Sequence, residues 1–166
     1  MTSGDVTTRD ATPADAAAIA AIYNQGIVDR VATLETEERT PEERRRWLAA
    51  RGPRHPVLVA ERDGTIVGWG SLNQFNPRKA YDFVADFSVY VERAWRGKGV
   101  GGALLRALAG RARQLGYHKL VLSAFPWNAA GVALYRRHGF REVGTYKEQG
   151  LLDGKWVDTI IMEKIL

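Results

Sequence analysis

Ser88-Val89-Tyr90-Val91-Glu92-Arg93-Ala94-Trp95-Arg96-Gly97-Lys98-Gly99-Val100-Gly101-Gly102 carries a β-patterned run into a basic, glycine-dense loop. The loop opens directly into a segment whose Val100, Leu104, Leu108 and Leu115 form one apolar stripe, so the spacing predicts a helix from Val100 to about Leu115. Strand, glycine turn and helix in that order present bare backbone N–H groups at the positive end of a helix, the arrangement that receives a phosphate. The ligand expected here is a phosphorylated cofactor.

Working outward, Lys119–Ala124 reads as a strand, and Asn128 caps a helix that runs through Arg137 and stops at His138-Gly139. Two last strands, near Arg141–Lys147 and Lys155–Lys164, read as a hairpin over a loop with Asp153-Gly154. Upstream, Val57–Glu61 and Thr65–Leu72 flank an Asp63-Gly64 hairpin turn, and Phe83–Glu92 is the third strand of that group. The loop before it, Asn73–Asp82, carries Pro77, Arg78 and Lys79. A short strand near Val6–Arg9 leads into a helix start at Thr12-Pro13, with Ile19, Ile22, Tyr23 and Ile27 on one face. Thr40-Pro41-Glu42-Glu43 starts a second helix through Leu48, ended by Gly52-Pro53 and His55-Pro56. The order β-α-α-β-β-β-α-β-α-β-β is mixed α/β, an α+β sheet with antiparallel hairpins rather than a regular βαβ alternation.

The chain has 166 residues, a net charge of +5 and no cysteine. That length predicts one domain over residues 1–166. With 45% hydrophobic and 26% charged residues it has an ordinary globular composition, and no apolar run approaches a membrane span. Met1-Thr2-Ser3-Gly4-Asp5 lacks the basic-then-apolar pattern of an export signal, so the expected location is cytoplasmic, with no membrane partner. Without cysteine there is no thiolate metal site and no thiol nucleophile. His55, His118 and His138 show no ligand spacing, so no metal is expected. Arg44-Arg45-Arg46 is the one dense basic run; beside Glu42 and Glu43 it reads as a solvated helix face, and nucleic acid is not an expected partner.

Gly97-Lys98-Gly99-Val100-Gly101-Gly102 formally matches G-x-G-x-x-G. A dinucleotide-binding unit would carry an acid at the end of the next strand to hold a ribose, and Lys119-Leu120-Val121-Leu122-Ser123-Ala124 has none. No Gly-Lys-Ser/Thr completes a Walker loop, and no His-Arg-Asp or Asp-Phe-Gly completes a kinase set. The better description is Arg96-x-x-Gly99-x-Gly101 between strand and helix. That segment resembles the acetyl-CoA pyrophosphate loop of the GCN5-related N-acetyltransferase (GNAT) family, whose element order is the one read above. Asn128, Tyr135 and His138-Gly139-Phe140 resemble its second motif. Ala20-Ala21-Ile22-Tyr23-Asn24, Thr40-Pro41-Glu42, Ala80-Tyr81-Asp82, Ser88-Val89-Tyr90-Val91 and Gly154-Lys155-Trp156-Val157-Asp158 together resemble the phosphinothricin acetyltransferase branch.

The resemblance implies a central, mostly antiparallel twisted sheet, splayed at the cofactor site and flanked by helices. It implies acetyl-CoA as cosubstrate, its pyrophosphate on Arg96, Gly97, Lys98, Gly99, Val100, Gly101 and Gly102. Val89, Tyr90 and Val91 would pair with the pantetheine arm beside a strand bulge, and Asn128 would bond the same arm. The expected reaction is direct attack of an amine on the thioester in a ternary complex. The substrate would be a small amino-acid-like amine of the phosphinothricin, methionine sulfoximine or methionine sulfone type. Asp86 stands where the branch carries a glutamate and is the expected base, acting directly or through water; the plainer reading is a strand carboxylate bonded to backbone. Tyr135 is the expected acid for the departing thiolate, against the plainer reading of an aromatic that packs helix on sheet. Arg78 and Tyr81 match substrate positions, an arginine fork suiting a carboxylate or phosphinate, although a solvated loop arginine fits as well. Leu34 sits where phosphinothricin-type members carry phenylalanine, a departure that bears on substrate. A homodimer with sites near its interface is also implied. The rival readings are another amine (a polyamine, an aminoglycoside or a protein N-terminus) and a non-catalytic CoA-binding module.

Overall fold

Two Asp-Gly pairs set the hairpins. Asp63 and Gly64 take φ of 51° and 79°, and Asp153 and Gly154 take 51° and 76°. Paired positive φ values give the turn whose twist matches the strands on either side. The first folds Val57–Arg62 (β2) onto Thr65–Gln74 (β3); the second folds Arg141–Leu152 (β6) onto Lys155–Ile165 (β7). The computed structural model describes residues 5–31 and 33–166, so the leader reading of Met1–Gly4 lies outside the described residues. Thr7–Asp10 (β1), Val84–Val91 (β4) and Lys119–Ala124 (β5) complete one sheet in the order β1-β2-β3-β4-β5-β7-β6. Every pairing is antiparallel except β4 with β5. Among the described residues no helix is long and apolar enough to cross a membrane.

β2 is apolar on both faces because both are covered. Leu58 and Ala60 join the cluster beneath Val100–Gln114 (α3), while Val57 and Val59 join Ile19, Ile22, Tyr23 and Ile27 of Ala16–Asp29 (α1). A 3-10 turn, Pro13–Asp15, precedes α1, so the α-helix begins later than the Thr12-Pro13 signal. The buried Asp15 carboxylate accepts from the Thr12 N–H at 2.8 Å and from the Arg9 guanidinium at 2.8 and 3.0 Å, which holds it below the usual carboxylate range. Pro41–Ala49 (α2) lies beside α1.

Three sequence expectations change. Arg44 is not on a solvated face: its guanidinium lies 4.5 Å above Trp47 and 5.5 Å from the Tyr23 ring, while Arg45 and Arg46 are exposed. The aromatic surface between α1 and α2 takes the flat cation, as stacked arginine does. β3 runs to Gln74, past the expected Leu72. β6 runs to Leu152, past the expected Lys147, because register shifts between Glu142 and Gly144 and between Tyr146 and Gly150 absorb the polar Lys147-Glu148-Gln149 stretch. Glu148 takes φ 51° in the second of them.

α3 lies close on β3 because Gly70 lets it. A Cβ there would stand 2.8 Å from Leu108 Cδ1 and 2.8 Å from the Ser88 carbonyl oxygen. Gly70→Ala is expected to lower stability by about 1–3 kcal/mol through overpacking, seen as a lower urea midpoint at unchanged m value. An unchanged midpoint would show that α3 can withdraw without cost.

Candidate active site

β4 and β5 pair only at Val84 with Lys119, Ala85 with Leu120 and Asp86 with Val121, and then part, although β4 continues to Val91 and β5 to Ala124. β4 stays in unbroken register with β3 from Gly68↔Val91 to Gln74↔Ala85, so the expected bulge in the Val89 strand is absent. β5 stays with β7 along all of Lys119–Ala124. The sheet therefore opens between its two halves, not within a strand, and Asp86 occupies the last paired position before the fork.

A cavity of about 270 Å³ fills the opening. Asp86, Ser88 and Tyr90 line it from β4, Leu122, Ser123 and Ala124 from β5, Thr159 from β7, and Tyr135 from Ala129–Arg137 (α4). Val31, Thr33 and Leu34, in the connection from α1 to α2, close its mouth. Burial pushes the Asp86 carboxyl up to about 6, against the opposing pull of the Asn73 amide. Burial likewise pushes the Tyr135 hydroxyl up to about 12, so it carries its proton at neutral pH. The Tyr135 ring is set edge-on to Phe87 at 5.9 Å and to Phe140 at 6.0 Å. Packing and a proton-bearing hydroxyl at the cavity thus coexist in one side chain. Tyr90 stacks on Trp69 at 4.7 Å, and burial raises its hydroxyl as well.

A second cavity, about 610 Å³, runs on from the first and shares Val31, Val89, Tyr90, Asn128 and Tyr135 with it. Val91, Arg96, Gly97, Gly99, Gly101 and Gly102 floor it. Gly97 and Gly99 take φ of 75° and 87°, and Gly99 is the residue before the first turn of α3, which turns backbone N–H groups of that turn toward the groove. Lys98 and Val100 belong to this loop by backbone only: Lys98 Nζ lies 5.3 Å over the Trp95 ring, and Val100 is buried in the core. Arg96 is paired with Asp29 at 2.8 Å. Asn128 Oδ1 accepts from the Gly131 N–H at 3.1 Å, and its Nδ2 donates to the Val31 carbonyl at 3.3 Å, so it caps α4 and ties down the cavity mouth together.

Arg106, Arg137 and His138 also line this groove, and the sequence reading missed them. Arg106 lies one helical turn beyond Gly102, a spacing that puts it on the same face. His138 Nδ1 donates to the Leu134 carbonyl at 2.9 Å, which leaves Nε2 to accept from Arg106 Nη1 at 3.5 Å. Arg78 and Tyr81 are not brought to either cavity. They sit on an exposed turn before β4, where Tyr81 packs against Phe75 at 5.5 Å. Leu34 does reach the small cavity. Among the described residues no cluster of His, Cys, Asp or Glu could hold a metal ion.

Comparison with known proteins agrees with this geometry. The model of the acetyltransferase (GNAT) family matches residues 20–140. The L-methionine sulfoximine/L-methionine sulfone acetyltransferase of Pseudomonas paraeruginosa is 36% identical over 157 residues, covering 93% of this chain and 91% of its own. The crystal structure of a phosphinothricin acetyltransferase from Sinorhizobium meliloti in complex with AcCoA superposes with a TM-score of 0.90 at 34% identity, covering 97% of this chain and 88% of its own. The ribosomal-protein-alanine N-acetyltransferase of Brucella melitensis superposes at 0.92 with 40% identity, covering 96% and 99%. A family match across most of the chain, with relatives above 30% identity along nearly its full length, makes this protein a GNAT-family N-acetyltransferase.

Proposed function

We infer that the chain uses acetyl-CoA to acetylate the α-amino group of a small amino-acid-like substrate of the phosphinothricin, methionine sulfoximine or methionine sulfone type. The observation that carries this reading is the fork: a carboxyl poised near neutrality and a protonated tyrosine share one small cavity that continues into a glycine-floored, arginine-lined groove. The groove fits the cosubstrate. The backbone of Arg96–Gly102 suits the pyrophosphate, Arg106, Arg137 and His138 add positive charge for a further phosphate, and the β4 edge beyond Asp86, free of β5, suits the amides of the pantetheine arm. A Cβ at Gly101 would stand 3.0 Å from Leu134, so a side chain there would narrow the groove. When bound, acetyl-CoA supplies a thioester as the activated acetyl donor.

A free α-amine is largely protonated at neutral pH. Asp86, ionised above about 6, takes that proton directly or through one water. The neutral amine then accepts the acetyl group directly in a ternary complex, with no residue of the chain acylated. As the C–S bond breaks, Tyr135 gives its proton to the departing thiolate and recovers one from the acetylated nitrogen, which sheds its remaining extra proton to become the amide. A cavity of about 270 Å³ lies just below the roughly 300–1,000 Å³ of typical small-molecule sites and favours an amino acid over a peptide. The likeness to a ribosomal-protein-alanine acetyltransferase gives the peptide α-amine as the second reading.

A single cytoplasmic domain working as a homodimer belongs to the same reading. β6 is an edge strand, and Val143, Tyr146, Leu151 and Trp156 of the β6–β7 hairpin are exposed, a long apolar edge that association would cover. Arg78 and Tyr81 lie outside the cavities of their own chain, so a substrate role for them requires a second copy to bring them there.

Thiol release from acetyl-CoA across phosphinothricin, methionine sulfoximine, methionine sulfone, free amino acids, spermidine, an aminoglycoside and an alanine-terminated peptide tests the substrate. Selective turnover of the first three is expected; selective turnover of the peptide would replace them. kcat/KM is expected to rise with pH through about 6, and Asp86→Asn to cost about 10²–10⁴ in kcat and remove that limb. Tyr135→Phe is expected to lower kcat with KM for acetyl-CoA nearly unchanged; loss of cofactor binding would instead make Tyr135 structural.

The same carboxyl carries a stability cost. Its proton is held more tightly in the folded chain, near 6, than at the ordinary 3.8, so folding favours the protonated form. The contribution of this one carboxyl to stability is therefore fullest below about pH 4 and falls as pH rises through 6. Asp86→Asn is expected to be more stable than the parent by about 1–3 kcal/mol at pH 8, with the gap closing below pH 4, measured by urea unfolding at each pH. A gap independent of pH would show that Asp86 is not desolvated.

A further inference from the structure

Behind Asp86 lies a polar chain that acetyl transfer does not use. Asn73 stands directly opposite Asp86 in the β3–β4 register, and Ser71 directly opposite Ser88, so all four side chains share the α1–α2 face. Asn73 Oδ1 accepts two hydrogen bonds, from Arg51 Nη2 at 2.9 Å and from Ser71 Oγ at 3.0 Å. An amide oxygen held by two donors cannot turn toward a carboxylate. Asn73 Nδ2 is left for the β4 side, where it lies 3.4 Å from Ser88 Oγ, and the Asn73 amide, directly across from Asp86 in the register, opposes the desolvation of the carboxyl.

Arg51, just past the end of α2, is itself fixed. Its Nε donates to the His55 carbonyl at 2.9 Å, its Nη2 also reaches the Leu72 carbonyl, and its guanidinium lies 4.4 Å over the Trp47 ring. Burial lowers its pKa to about 10, which leaves it a cation at neutral pH. Ser71 is 1% exposed. A desolvated cation and a buried hydroxyl on one amide are costly where apolar packing would serve the core.

We propose that Arg51 and Asn73 are positioning residues for Asp86: the Arg51 cation locks the Asn73 amide with its NH₂ toward the carboxylate, and this fixes both the orientation of the base and the pH at which it ionises. The inference rests on the reading of Asp86 as the base. Among the described residues that line the cavity the other titratable groups are Tyr90 on β4 and Tyr135 on α4, both protonated across the working range; the lining residues from β5, β7 and the α1–α2 connection are not titratable. The pH response of Asp86 is thus governed by its burial and by the Arg51–Asn73 pair.

The test reads Asp86 twice in the full-length protein: by the ¹³C titration of its carboxyl carbon, assigned by its loss in Asp86→Asn, and by the acid limb of kcat/KM. In Asn73→Ala the carboxylate loses its donor. In Arg51→Met the amide oxygen keeps only the Ser71 hydroxyl as donor, so the lock on its orientation is weakened. Both midpoints are expected to rise together by about one pH unit, with KM for acetyl-CoA unchanged. Arg51→Lys, which keeps a cationic donor for Oδ1, is expected to shift them less. A folded Asn73→Ala whose carboxyl midpoint stays at the parent value overturns the proposal; a merely structural role would lower the melting temperature and leave that midpoint in place. Should Arg51→Met fail to fold, Asn73→Ala decides alone. A carboxyl midpoint that moves while the rate limb does not supports the positioning of Asp86 and removes Asp86 as the base.

Discussion

The molecule turns on the parting of β4 from β5 after the Asp86–Val121 pair. Among the described residues those three parallel pairs are the only strand pairing between the β1–β4 half of the sheet and the β5–β7 half. Continued pairing would have hidden the backbone edge of Phe87–Val91 and left no space between the halves. Stopping it leaves backbone donors and acceptors on both lips of the fork without strand partners, a cost a folded chain accepts only where something else is to pair with them. The groove floored by the glycine loop begins at that lip, and the smaller cavity lies at its inner end. The groove and the small cavity are thus brought to one line by a single topological decision.

The chemistry at the inner end follows from where that line falls. A strand carboxylate in a fully paired sheet would be either buried in apolar contacts or open to water. At the fork, Asp86 has sheet on one side and cavity on the other, and the result is a carboxyl displaced to about 6 without being neutral at pH 7. Tyr135 is held by Phe87 and Phe140, the first of which is the residue after Asp86. Asp86 and Tyr135 are therefore registered against each other through the aromatic contact between β4 and α4. The polar face of β3, Ser71 and Asn73, backs the carboxylate from the other strand.

Fold and cofactor groove were legible in the sequence because both are written in local pattern. The Asp-Gly turns, the apolar stripe of α3 and the Asn128 cap act within a few residues, and each element they announce is present. What failed was long range. Lys147-Glu148-Gln149 reads as loop because bulging absorbs its polarity only when β7 is there to pair with. Arg44 reads as solvated because Tyr23 and Trp47 face it only once α1 and α2 lie together. The bulge expected in β4 has no counterpart, since a break between strands does the same job. Arg106 and His138 went unread for want of a contact between α3 and α4, and Arg51 because the amide it locks is 22 residues away.

The division between what was legible and what was not also separates transfer from selectivity. Asp86 on β4 and Tyr135 on α4 sit on elements packed into the larger core cluster, where a change of position costs packing. Groups that shape the acceptor end sit on the connection after α1, and few bonds hold it there. Trp127 Nε1 donates to the Arg30 carbonyl at 2.8 Å, Asn128 to that of Val31, and Arg30 forms a two-pronged pair with Asp153 in the β6–β7 turn at 2.9 Å. Leu34 is pressed so close to Gly150 that a Cβ there would stand 2.7 Å from it. The wall of the small cavity is thus tied to the tip and edge of the terminal hairpin and to the turn before α4, as well as to the end of α1. Changes in that hairpin can reshape the small cavity while Asp86, Tyr135 and the glycine loop stay in place, because loops vary where a packed scaffold cannot.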